Sequence, residues 1–137
     1  MTAFSGSFHG KTTWQNVARV PDTANHELSL VEIGGQQTCS DPRWYQAAVT
    51  HWGLADLTDG HGEQRGYFRN VRPDGDCNWG SFASHVTTVG EHTTLEGTWQ
   101  LQGGTGIFQG ITGSGTFQGQ NLSPTEVAIT WQGDYQL

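Results

Sequence analysis

The chain has 137 residues, enough for one enclosed core and too few for two, so a single domain over 1–137 is expected. It carries 20 glycines and six tryptophans, and its formal net charge is −7. No Lys or Arg follows Arg72, which argues against the basic patch of a nucleic-acid binder and the basic segments that anionic membranes attract.

No window sustains a 3.6-residue apolar period, whereas two-residue alternation recurs along the chain. A first strand is expected over Ala3–Val17, with Phe4, Phe8 and Trp14 on one parity, and Pro21-Asp22 ends it. His26–Thr38 reads as a second strand, with Leu28 and Leu30 on one face and a bulge at Gly34-Gly35. A third spans Ala47–Thr58, with Trp44–Ala48 open to a helical turn, and Asp59-Gly60-His61-Gly62 is a hairpin connection. Arg65–Arg72 forms the fourth, followed by the turn Pro73–Asp76. Asn78–Val89, His92–Gln102, Gly113–Gln118 and Glu126–Gln136 complete a set of eight. Short turns between eight strands imply an all-β antiparallel barrel of calycin type, wide enough for side chains or one small ligand.

Between Gly97 and Gly119 the glycines are too frequent for a helix and too dense for a flat strand. Glycine within strands permits the bends through which a sheet closes on itself. The segment Gly103-Gly104-Thr105-Gly106-Ile107-Phe108-Gln109-Gly110, with Gly113 beyond it, resembles the Gly-rich corner of the allene oxide cyclase-like barrels. That family is related to the dirigent proteins and includes bacterial spirocyclases. The resemblance extends from about Glu63 to Phe117 and leaves the first 60 residues unmatched. It implies a hydrophobic substrate cyclised or isomerised in the lumen without a cofactor, and a homo-dimer or homo-trimer.

Motifs for other chemistry fail on spacing. Asp74, Asp76 and Asn78 begin like a calcium loop, but Trp79 stands where its glycine belongs and His85 where its glutamate belongs. The six histidines fall one to a segment without ligand spacing, so no metal is expected. Residues Met1–Gly10 have neither the basic nor the apolar region of a signal peptide. A cytoplasmic location with free thiols at Cys39 and Cys77 is the corresponding expectation.

Glu32 shares parity with Leu28 and Leu30, and is either a lumenal general acid or base or a solvated residue at the rim. His51 alternates with Ala47, Val49, Gly53 and Ala55 and faces either the lumen, as a proton shuttle, or the exterior. Arg69, on one face with Tyr67, either clamps a substrate oxygen or pairs with Asp56 outside. Trp79 and Trp99 are expected as ligand walls, with His85 and Tyr67 beside them. The expected function is a cyclase or isomerase with Glu32 and His51 as proton carriers. A carrier for a small apolar ligand and a filled structural module are the alternatives.

Overall fold

The computed structural model describes residues 1–137. Eight strands follow in chain order: β1 (Thr2–Arg19), β2 (His26–Cys39), β3 (Ala48–Thr58), β4 (His61–Val71), β5 (Cys77–Val89), β6 (His92–Gly104), β7 (Thr112–Ser123) and β8 (Glu126–Gln136). Each pairs antiparallel with the next, and β1 returns to β8 from Thr2↔Tyr135 to Lys11↔Glu126, closing the barrel. Closure leaves no free edge along most of the sheet. The exception is Trp14–Arg19, which pairs with β2 alone. No helix is long and apolar enough to cross a membrane.

The β1–β2, β3–β4, β5–β6 and β7–β8 turns lie at one end. At Asp59-Gly60 both residues have positive φ (53° and 78°), the geometry of a tight primed turn that matches strand twist. The other end is closed by two 3₁₀ turns, Pro42–Trp44 and Gly106–Phe108. They deliver Trp44 and Phe108, both almost fully buried, into a cluster with Phe4, Trp99, Leu101, Ile111, Phe117 and Tyr135. Ring centroids of Phe4 lie 4.7 Å from Trp44, 4.9 Å from Trp131 and 4.9 Å from Tyr135. Edge and tilted contacts at these distances add to the area each ring buries.

The Gly-rich corner is the second of these turns. Asp76 caps it by accepting from the amide of Ile107 at 3.1 Å, and Thr105 Oγ1 accepts from the amide of Cys77 at 3.1 Å. Gly106 sits at φ +57°, and a Cβ there would fall on the Asp76 carboxylate. A side chain at this position would therefore meet both the left-handed backbone penalty and the cap.

Glycines also set the width of the waist. Along paired positions the chain reads Phe4, Gly133, Gly115, Trp99, Phe82, Gly66, Gly53. Large rings thus stand beside bare backbone. A Cβ on Gly133 would lie 2.6 Å from Cζ2 of Trp99, and one on Gly115 would also overlap that ring. The lumen of so small a barrel admits the Trp99 ring only because Gly115 and Gly133 have no side chain.

Candidate functional site

Inside the barrel, polar side chains meet an apolar wall. The lumen divides into two chambers. The inner one, toward the 3₁₀ turns, has a volume of ≈ 90 Å³ and is walled mainly by Trp44, Phe68, Phe82, Trp99, Phe117 and Trp131. The outer one, toward the β3–β4 and β7–β8 turns, has ≈ 310 Å³ and a mixed lining that includes Gln15, Ser29, Gln64, Ser84 and Thr88. His51, Phe82, Phe117 and Ile129 line both and form the septum between them.

His51 is the chemical centre of this septum. β3 alternates Val49, His51, Gly53 and Ala55 on its inward face, while Trp52 and Leu54 point outward. The imidazole lies 4.5 Å from the ring of Phe8, 5.9 Å from Phe82 and 6.4 Å from Phe68, centroid to centroid. Its ring nitrogens have no hydrogen-bond partner in the protein, and the surface it retains belongs to the lumen. Burial alone lowers its pKa from the ordinary 6.5 to about 4. At neutral pH it is therefore an uncharged base with an unused lone pair, set among aromatic rings.

A polar strip crosses the inner chamber. Gln37 Nε2 donates to Asn70 Oδ1 at 2.9 Å, and Asn70 Nδ2 donates to Asn78 Oδ1 at 2.7 Å. Gln37 and Asn70 line the chamber, and Asn78 is fully buried behind them. Among sequence motifs, Asn78 appears only as part of a rejected calcium loop, and no motif marks Gln37 or Asn70. Their signal was parity: Asn70 alternates with Gly66 and Phe68, and Asn78 with Gly80 and Phe82.

Trp99 stands in the inner wall, its Nε1 donating to the Thr116 carbonyl at 3.2 Å. The other expected site residues are corrected by the structure, which places them outside. Glu32 accepts from Thr13 Oγ1 at 2.9 Å and from Trp52 Nε1 at 2.8 Å on the outer surface. Its parity partners Leu28 and Leu30 are 39% and 42% exposed, so that face of β2 is the outer one. Tyr67 is 63% exposed and Trp79 40% exposed, the latter lying across Gly103. Arg69 pairs in register with Trp79 on the same exterior side. It forms no ion pair with Asp56, which instead accepts from His26 Nε2 at 2.6 Å. His85 is exposed and bonds Glu63 through Nδ1 at 2.6 Å. Trp14 also turns outward, 50% exposed, because an irregularity between Thr12 and Trp14 shifts the register.

At the closed end the Asp41 carboxylate accepts from the Tyr135 hydroxyl and, at 3.0 Å, from the amide of Arg43. Burial pushes this carboxyl up, but the Tyr135 and Arg43 donors outweigh it and hold it below its ordinary value. The same burial, reinforced by the Asp41 charge, pushes the Tyr135 phenol up. This latch fastens the first 3₁₀ turn to β8 and stands apart from the lumen wall. Cys39 and Cys77 are free thiols, and no group of three or more His, Cys, Asp or Glu side chains is placed to hold a metal ion.

No protein-family model matches the chain, and no curated protein matches it.

Proposed function

We propose that the protein binds a small hydrophobic molecule in its lumen and moves a proton on it through His51, as a cofactor-independent isomerase or cyclase. The observation that carries this reading is the neutral, unpartnered imidazole at the septum between two lumenal chambers. A ring nitrogen of His51 accepts a proton from one carbon of the bound molecule, and the imidazolium returns it to another. The double bond shifts, and no oxidant or second substrate is consumed. The imidazolium is disfavoured among Phe8, Phe68 and Phe82, which drives the return step. The aromatic walls hold the substrate in one pose, and such positioning contributes several kcal/mol to barrier lowering, on the order of 7 or more in the best cases. The resemblance of Gly103–Gly110 to the corner of allene oxide cyclase-like barrels points the same way.

The second reading is a carrier. It is favoured by the inner chamber having one titratable side chain, His51, and no acid opposite it.

Proton abstraction from 5-nitrobenzisoxazole separates the readings, since a single base in an apolar pocket suffices. The base takes the C3 proton, the electron pair closes the nitrile, and the N–O bond breaks to give a coloured phenolate. Saturable turnover is expected, reduced about a hundredfold in His51→Gln with substrate affinity little changed. Its rate should stay flat on acidification until pH approaches about 4, where His51 protonates. Saturable binding without His51-dependent turnover would leave the carrier, and no binding would leave a filled structural module.

A further inference from the structure

The amide strip ends on a donor with nothing to donate to. Asn78 is 0% exposed, its Oδ1 accepts from Asn70, and its Nδ2 has no partner. Asn70 is 6% exposed and pairs in register with Val49, the inward neighbour of His51 on β3. The strip and the base therefore serve one chamber. Exchanging the oxygen and nitrogen of each amide keeps both hydrogen bonds and reverses their direction. Asn78 Nδ2 then donates to Asn70, Asn70 Nδ2 donates to Gln37, and both N–H groups of Gln37 are released to the chamber. In either polarity Asn78 keeps one buried polar atom without a partner, and the amide nitrogens of Gln37 and Asn70 each keep at least one N–H that the strip does not use.

We propose that Gln37 and Asn70, backed by Asn78, form the head-group site of the lumen and take the oxygen of a carbonyl-bearing ligand. This inference rests on the lumenal reading above and names its substrate class, a small ketone, enone or ester with an apolar body. The body lies against Phe68, Phe82 and Trp99, and the carbonyl reaches the amides. A base as weak as His51 supports this assignment. Drawing a proton from carbon with such a base requires the developing charge to rest on an oxygen that donors already surround. Proton loss next to the carbonyl leaves an enolate at Gln37 and Asn70, and return of the proton at the far end of the conjugated system completes the shift.

Acetophenone and α-methylstyrene test this directly, because they share a shape and differ in C=O against C=CH₂. Binding is followed by tryptophan fluorescence, and the carbonyl stretch of labelled acetophenone by infrared difference spectroscopy. Acetophenone is expected to bind about tenfold more tightly, the value of one buried hydrogen bond. Its stretch should move below the value in hexane. Asn70→Leu should remove both the preference and the shift. Gln37→Met, at a half-buried rung, provides the same comparison should Asn70→Leu fail to fold. Equal affinities, or a carbonyl at its hexane frequency, would overturn the head-group site and leave the lumenal reading standing. If neither molecule binds, the lumenal reading falls and this inference with it.

Discussion

His51 concentrates the tension between stability and function in one side chain. Its folded pKa of about 4 lies below the 6.5 of the unfolded chain, so below pH 6.5 the unfolded state takes up the proton first. The native state accordingly loses stability as pH falls from 6.5 toward about 4, and the full gap corresponds to about 3 kcal/mol. Above 6.5 the imidazole is neutral in both states and contributes no pH dependence. Urea unfolding of the wild type and His51→Leu at pH 7.5 and 4.5 reads this out. The variant should lose less stability on acidification, by about 2–3 kcal/mol. Carboxylates such as Asp41 weaken on acidification in both proteins, so the difference isolates His51. Parallel losses would mean that the imidazole titrates in contact with water. Alternation with Val49, Gly53 and Ala55 pointed to His51 as one of two placements, and the barrel selects the inward one.

At the scale of elements, alternation and turn chemistry placed all eight strands in order, but β7 runs over Thr112–Ser123 where only Gly113–Gln118 is expected. β8 runs over Glu126–Gln136 as expected, and β4 begins at His61 rather than Arg65 because Asp59-Gly60 alone makes the turn. Parity went wrong where the pattern hides an extra residue or carries apolar side chains on the outer face. The irregularity after Thr12 sends Trp14 outward although Phe4 and Phe8 point in, and Leu28 and Leu30 carry Glu32 to the exterior. The Gly-rich corner supplies a prediction at this scale. Gly110 has φ +79° and open space where a Cβ would go, whereas Gly106 faces the Asp76 cap. Gly110→Ala should cost about 1–2 kcal/mol, the left-handed penalty alone. Gly106→Ala should cost about 1–3 kcal/mol more, because the Asp76–Ile107 cap must also yield. Equal losses in chemical denaturation would show that the cap contributes nothing.

Over the whole molecule, closure decides what sequence patterning leaves open. Both faces of this barrel carry large apolar residues: Trp14, Leu54 and Tyr67 are exposed outside, while Phe4, Phe8 and Trp99 are buried inside. Hydrophobicity therefore divides each strand into two sets without saying which set is enclosed. The better guide is glycine, since Gly115 and Gly133 share the waist with Trp99 and make room for its ring. Gln37 and Asn70 come together only when β2 and β4 curve around the same chamber, with β3 between them. The central claim is that a ligand occupies this enclosed space rather than the exposed band of Trp14, Leu54 and Tyr67. Intermolecular nuclear Overhauser effects from bound α-methylstyrene test it most directly, because the hydrocarbon needs no polar partner. Contacts to His51, Phe82 and Phe117 are the predicted result. Contacts to Trp14, Leu54 and Tyr67 instead, or to no residue at saturating ligand, would contradict it.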